Sequence, residues 1–100
     1  AIARWAVRNL GAEHRSRATV YTSGEHCPMC SAAHAWVGLG RIVYAASAAQ
    51  LTAWLQEWGA PPPPVAGLPI ATVAPGICAD GPADELTEEM KALYAKAFAR

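Results

Sequence analysis

The spacing of apolar positions along the chain predicts helices and strands that alternate. Apolar residues recur at helical intervals over residues 1–10, and Gly11 is well placed to end that helix. Short apolar runs at residues 18–22 and 41–46 predict strands, and the second run is apolar enough for a strand buried on both faces. Residues 27–39, between these runs, are predicted as a helix.

A fourth element follows the second predicted strand. Ser47 precedes Gln50 by three positions, which predicts a capping box at the start of a helix. Gly59 is predicted to end this helix. The helix carries one apolar stripe, which predicts a face that packs in the core: Leu51, Trp54, Leu55 and Trp58.

The remaining segments are predicted from their proline, glycine and charged residues. The polar run 13–17 and the stretch 76–82 are predicted as loops, prolines 61–64 as extended polyproline II, and residues 69–74 as a third strand. Asp84 is predicted to N-cap a last helix. The apolar positions of that helix are predicted to share one face: Leu86, Met90, Leu93, Tyr94, Ala97 and Phe98.

This alternation is typical of an α/β protein with a parallel or mostly parallel sheet and helices on both faces. The 8 basic and 8 acidic residues balance, whereas a nucleic-acid module normally carries a basic excess, so a nucleic-acid partner is disfavoured. The sequence contains neither a secretory signal nor an apolar run long enough to span a bilayer, so no membrane partner is expected. We expect a cytoplasmic protein whose thiols are reduced.

The main candidate for chemistry is a pair of cysteines at the predicted start of the helix over residues 27–39. Cys27 and Cys30 are three positions apart and share one helix face, so both thiols can point at one atom. A helix N-terminus stabilises thiolates, and Pro28 suits the first helical turn. Two sulfur ligands favour zinc. The spacing alone leaves metal binding, a redox pair and inert burial open.

Residues 27–47, CPMCSAAHAWVGLGRIVYAAS, resemble the zinc-dependent deaminases of the cytidine deaminase superfamily. The resemblance is strongest to the branch that holds guanine and nucleoside deaminases and tRNA adenosine deaminases. The matching positions are Glu25, Cys27, Pro28, Met29, Cys30, Trp36, Gly38, Arg41, Val43 and Tyr44. Two positions depart from the family pattern, because His26 stands where the family has Pro and Gly24 where Cys or Leu is usual.

The resemblance implies a three-layer α/β/α sandwich, of which residues 1–100 are the C-terminal part of a single deaminase domain. It implies Cys27 and Cys30 as two ligands of a Zn²⁺ cofactor, with the third ligand and the catalytic Glu in a His-x-Glu motif. No His-x-Glu occurs in this sequence. Residues 1–11 resemble the rest of the helix that this motif begins. We therefore expect the motif upstream of Ala1 or on another chain, and no catalytic residue in this one.

The function implied by the resemblance is hydrolytic deamination of the exocyclic amine of a free nucleobase, nucleoside or similar small heteroaromatic amine. Guanine-like substrates are favoured slightly over cytosine-like ones. The expected partners are this small molecule and a complementary N-terminal deaminase segment, in a homodimer or hetero-oligomer. The alternatives are a non-catalytic zinc-binding or interaction module derived from a deaminase, and a thioredoxin-like redox protein. The substrate-binding residues are left open.

Two residues beside the cysteines invite a role in the site. Glu25 is expected to support it, by accepting backbone N–H bonds on the strand–helix turn and holding the ligand loop. His26 directly precedes Cys27, and a neighbouring residue must bend back sharply to reach the same metal, so it is not predicted as the third ligand.

The other candidates are assigned to structure. His34 and Trp36 are predicted to pack or hydrogen-bond within the fold, and His14 to be a solvated loop residue. Cys78 is predicted to be a small buried hydrophobe. The aromatic rings of the last helix are predicted to pack in the core, with capping of a bound base as the alternative: Tyr94 and Phe98.

Overall fold

The computed structural model of the chain describes residues 2–98. It is a mixed α/β structure in which short strands alternate with helices. The strands are β1 (Val20–Gly24), β2 (Ile42–Ala46) and β3 (Ala79–Asp80). The helices are α1 (Ile2–Asn9), α2 (Ala12–Arg17), α3 (Pro28–Trp36), α4 (Ala48–Glu57), α5 (Ile70–Val73) and α6 (Thr87–Phe98), with a 3₁₀ turn at Asp84–Leu86.

The strands form one parallel sheet in the order β1-β2-β3. Val20 lies opposite Ile42 and Gly24 opposite Ala46, while Ile42 pairs on its other side with Ala79. The prediction of a parallel sheet and of strands near residues 18–22 and 41–46 is confirmed, although β1 starts two residues later than predicted.

The core is built around β2, the central strand. Ile42 is fully buried and contacts Ile70 of α5 and Ala74, which follows it. At the other end of the same strand, Ala46 packs with Trp54 of α4 and with Met90 of α6. The two clusters thus tie helices from distant parts of the sequence to one strand. That strand leads directly into the loop beside the cysteines.

Helix α4 is built as its sequence predicts. The Ser47 hydroxyl accepts a hydrogen bond from the Gln50 N–H, and the Gln50 side chain accepts one from the Ser47 N–H, at 3.0 and 2.8 Å. This is the capping box. The helix ends at Glu57 with Trp58 as its C-cap, and Gly59 supplies the positive φ of 69° that commonly follows a helix.

The polar run after α1 is a helix and not the predicted loop. Its residues lack an apolar face, so the periodic pattern gives no helix signal. The guanidinium of Arg15 instead donates hydrogen bonds to the backbone oxygens of Leu10 and Val37, at 2.6 and 2.7 Å. These contacts fix α2 between the end of α1 and the end of α3. His14 is exposed as predicted, but it lies on this helix.

The third strand is not where the sequence predicted it. The predicted strand over residues 69–74 is helix α5, because Pro69 can occupy the N-cap and the Glu25 carboxylate accepts the Ile70 N–H at 2.8 Å. The real third strand is β3, inside the predicted loop 76–82. It is two residues long, which is too short for a periodic signal.

The last helix starts later than predicted. Asp84 does not cap it but opens the 3₁₀ turn, and Ala83, the residue before that turn, makes no side-chain cap bond. The predicted apolar face is only partly used, since Met90 is buried while Leu93 remains 52% exposed. Among the described residues, no helix combines the length and apolar character needed to cross a membrane.

Candidate metal centre

The cysteine motif lies at the edge of the sheet where β1 and β2 end. β1 ends at Gly24, and β2 ends at Ala46, which is paired with Gly24. Because the strands are parallel, the loop that leads to α3 and the loop that leads to α4 leave the sheet at this same edge. In open parallel sheets ligands bind outside the carboxyl ends of the strands.

The two thiols sit in the first turn of α3. Cys27 is the N-cap, and its Sγ accepts a hydrogen bond from the Cys30 N–H at 3.5 Å. Pro28 occupies the first helical turn, as predicted. Cys27 is exposed and Cys30 is half-buried, and neither is in a disulfide. The helix N-terminus therefore presents one thiol to solvent and a second one beside it.

The two thiols differ in their affinity for a proton. The backbone N–H of Cys30 lowers the pKa of the Cys27 thiol, because the hydrogen bond stabilises the thiolate. The hydrogen bond between the two side chains raises the pKa of Cys30, because the Cys30 thiol keeps its proton in order to donate it to Cys27. The pair is thus poised to lose its first proton at Cys27.

This donor set fits two of the ligand positions of a zinc ion. Thiolates are preferred zinc ligands, and the pair shares a helix turn. No cluster of three or more His, Cys, Asp or Glu side chains able to hold a metal is present within residues 2–98.

His26 and His34 form a pair of their own. Their ring centroids are 5.4 Å apart, and His34 is fully buried in α3. The His34 Nε2 donates to the backbone oxygen of Gly40 at 2.6 Å, as expected for a packed helix residue. His34 Nδ1 and His26 Nε2 are buried without a partner among the described residues. Burial, followed by the nearby His34, lowers the pKa of His26.

Glu25 holds two helices in place. Its Oε1 accepts the N–H of Ala48 and its Oε2 accepts the N–H of Ile70, both at 2.8 Å. These N–H groups belong to the first turns of α4 and α5, where a backbone N–H has no acceptor within its own helix. Glu25 thus accepts backbone bonds as predicted, but from these two helices and not from the cysteine loop.

A cleft of about 170 Å³ opens beside Cys27, and no motif in the sequence predicts it directly. One wall is the cysteine loop and the start of α4, and the other is the proline-rich segment 63–68. The one related signal in the sequence is the apolar stripe of α4, since Leu51 and Leu55 of that stripe line the cleft.

Trp36 and Cys78 were predicted as buried, but both are exposed. The inward face of α3 carries Ser31 and His34. Trp36 lies about 200° around the helix from His34, so its side chain is 89% exposed. Cys78 is exposed rather than buried, since it stands at the rim of the sheet before β3, where its backbone oxygen accepts the Ile42 N–H at 3.0 Å.

The aromatic residues of α6 pack in part as predicted. The Tyr94 ring lies 6.0 Å from Trp54 and 6.2 Å from Phe98, between centroids. Tyr94 also lines the cleft, and a Cβ added to Gly24 would overlap its hydroxyl. Phe98 is 43% exposed. Tyr94 therefore combines core packing with a place at the site.

Comparison with known proteins adds no family, since neither the protein-family models nor the curated proteins contain a match to this chain.

Proposed function

We propose that this chain is the zinc-binding part of a hydrolytic deaminase that acts on a small heteroaromatic amine. One observation carries the proposal: Cys27 and Cys30 lie in the first turn of α3, at the carboxyl edge of a parallel sheet and beside a cleft. The resemblance of residues 25–44 to the deaminase motif points the same way. Cys27 and Cys30 would hold the ion, and zinc, when bound, would supply an activated water by lowering the pKa of that water to about 7.

The residues of this chain orient the thiols and keep them available. The helix N-terminus and the Cys30 N–H stabilise the Cys27 thiolate, which is the form that binds metal. Glu25 fixes α4 and α5 around the site. Because both of its carboxylate oxygens accept backbone bonds, it is poorly placed to carry protons to a substrate.

The proton carrier and a third ligand therefore belong to a complementary segment with a His-x-Glu motif, on the same polypeptide or on a second chain. Within residues 2–98, β1 is an edge strand, and an exposed edge is a natural place for a further strand to pair. With such strands added, the sheet described here becomes part of a three-layer α/β/α sandwich. A reducing compartment such as the cytoplasm keeps both thiols free for the metal.

The charge balance supports a small-molecule substrate. The chain has formal net charge +0, which offers a nucleic acid little electrostatic attraction. We favour a free base, nucleoside or similar amine, with guanine-like compounds ahead of cytosine-like ones. A homodimer or hetero-oligomer would place the complementary segment against the cleft.

Two other functions each have an observation in their favour. A non-catalytic zinc module fits the finding that only two candidate ligands come together within residues 2–98. A dithiol redox protein fits the asymmetric pair, with an exposed Cys27 of lowered pKa next to a half-buried Cys30 of raised pKa. Zinc near one ion per chain argues against the redox function, and ammonia release by the assembled protein argues against the non-catalytic one.

The first experiment measures zinc per chain by mass spectrometry after dialysis. We expect Cys27→Ala and Cys30→Ala to abolish zinc retention, because each removes one of two thiolate ligands. Cys78→Ala is the matched control, since Cys78 is an exposed cysteine away from the motif, and it should retain the metal. Full zinc content in the Cys27→Ala/Cys30→Ala double variant would place the metal elsewhere and overturn the proposal.

The second experiment measures ammonia release from guanine, guanosine, cytosine and tRNA. The chain is assayed alone and together with the complementary segment that its gene or its partner encodes. We expect turnover of the small amines by the combination only. Full turnover by the isolated chain contradicts the composite site, and activity on tRNA alone, lost with added salt, contradicts the substrate class.

A further inference from the structure

We propose that the cleft beside Cys27 binds an uncharged, apolar substituent of the substrate. The preferred substrate is then a heteroaromatic amine with a hydrocarbon group in the place where a nucleotide carries its sugar phosphate. This inference rests on the proposed deaminase function, which it narrows to one class of substrate.

Three polar side chains at the cleft already make hydrogen bonds, whereas the buried Nε2 of His26, which also lines it, has no partner among the described residues. Both Glu25 oxygens accept backbone bonds, and the Ser47 hydroxyl accepts the Gln50 N–H. The Thr52 hydroxyl donates to the Ala48 oxygen at 2.9 Å. A ribose would bring several hydroxyl groups that lose water on entry, and Glu25, Ser47 and Thr52, which already make these bonds, replace only part of that hydration. The lining is therefore poorly matched to a sugar.

The electrostatics of the cleft also disfavour a phosphate. No lysine or arginine is found among the described residues that line it. Its lining includes the carboxylate of Glu25, which repels an anion. A phosphate would have to give up its hydration without gaining a lysine or arginine partner.

The walls of the cleft offer exposed apolar surface. Leu51 and Leu55 of α4 form one side, and Val65 and Leu68 of the proline-rich segment form the other. Val65 is 56% exposed and Leu68 41% exposed. Burying such surface against a hydrocarbon group stabilises a complex by about 25 cal/mol per Å². The cleft volume of about 170 Å³ suits a group of one small ring, below the roughly 300–1,000 Å³ of pockets for larger ligands.

The test compares three ligands that share one base. Binding of 9-benzylguanine, guanosine and guanosine 5′-monophosphate to the zinc-loaded protein is measured by isothermal titration calorimetry. We expect 9-benzylguanine to bind at least about tenfold more tightly than the nucleotide, with guanosine between them. Equal or tighter binding of the nucleotide overturns the proposal, and so does a failure of all three ligands to bind.

Three variants locate the preference in the cleft. Val65→Ser removes apolar surface from one wall and should weaken 9-benzylguanine binding about three- to tenfold. Val7→Ser, on α1 and similarly exposed at 51%, is the matched control and should leave binding within about twofold. Thr52→Lys adds a cation at the cleft and should raise the affinity for the nucleotide. If Val7→Ser and Val65→Ser behave alike, or Thr52→Lys has no effect, the ligand lies elsewhere and the proposal fails.

Binding and turnover separate this proposal from the one on which it rests. Selective 9-benzylguanine binding that depends on Val65, without ammonia release by the assembled protein, supports the cleft and refutes the deaminase. Ammonia release from all three ligands at similar rates, insensitive to Val65→Ser, supports the deaminase and refutes the apolar cleft.

Discussion

Residues 20–58 and residues 60–86 differ in how their structure is encoded. The first region contains β1, α3, β2 and α4, and each of these has a local signal in the sequence, such as a strand-like apolar run or a capping box. The second region contains α5 and β3, which are four and two residues long. Its conformation depends on contacts that reach back into the first region.

Three long-range contacts make this dependence concrete. The Ile70 N–H donates to Glu25, the Ile42 N–H donates to the Cys78 oxygen, and the Ala83 N–H donates to the Ala45 oxygen. Each joins a residue of the second region to the edge or end of a strand in the first. The first region can therefore form from its own local signals, whereas the second needs the first as a template.

Ile70→Ala is expected to have the largest effect on stability. The side chain is 1% exposed and packs on Ile42, so its truncation should lower the free energy of unfolding by about 2–5 kcal/mol. The measurement is urea unfolding combined with hydrogen exchange. Amides of α5 and β3 should lose protection before those of β1 and β2, because Ile70 is the main anchor of the second region.

The control for Ile70→Ala is Thr72→Ala, an exposed position on the same short helix, which should change stability by less than about 0.5 kcal/mol. Equal loss of protection in both regions at low urea would mean that they unfold as one unit. That outcome contradicts the distinction between a template and a dependent segment.

Glu25→Gln is expected to lower the free energy of unfolding by about 1–3 kcal/mol. The Gln amide has one oxygen that accepts a hydrogen bond, whereas both oxygens of the Glu25 carboxylate accept one. One of the N–H groups of Ala48 and Ile70 then lacks its acceptor. The check is the exchange rate of these two amides together with the unfolding free energy. Glu57→Gln is the control, since Glu57 pairs with Lys91 at the surface and should contribute about 0–1 kcal/mol.

A Glu25→Gln variant as stable as the wild type, with both amides still protected, would show that water or another group replaces the carboxylate. The link between the cysteine loop and α5 would then be weaker than the hydrogen bonds suggest.

Ser47→Ala should have a smaller and strictly local effect. It removes half of the capping box of α4 and is expected to lower the free energy of unfolding by about 0.5–2 kcal/mol. Circular dichroism and amide exchange measure the loss of helix at α4. Ser16→Ala is the control, because that hydroxyl bonds to Glu13 on an exposed helix and contributes little. Loss of protection in α5 would contradict the idea that signals in the first region act locally.

Much of the first region could be predicted from the sequence. The capping box at Ser47, the parallel strands and the place of Pro28 in α3 follow from local chemistry, and all are found. The site was predictable only as far as the two cysteines, because they are three positions apart. The cleft was not, since its far wall is a proline-rich segment whose position depends on tertiary packing.

The failures have a common physical cause. The helix at Ile70–Val73 requires the distant Glu25, and the strand at Ala79–Asp80 requires the edge of β2. A short segment has too few residues for periodicity to outweigh such contacts. Local patterns therefore predicted the elements whose caps and apolar faces lie within their own sequence. They missed the elements that depend on hydrogen bonds from distant residues.

Trp36→Ala is expected to have the smallest effect and tests where a local motif misleads. The residue matches the deaminase pattern and was predicted to pack, yet it is 89% exposed, so its truncation should change the free energy of unfolding by less than about 0.5 kcal/mol. Trp54→Ala is the matched control, because the same truncation at a buried Trp should cost about 3–5 kcal/mol. Unfolding is measured at two protein concentrations a hundredfold apart. A large loss on Trp36→Ala that appears only at the higher concentration would mean that this side chain is buried between chains, and a large loss at both would contradict its exposed position.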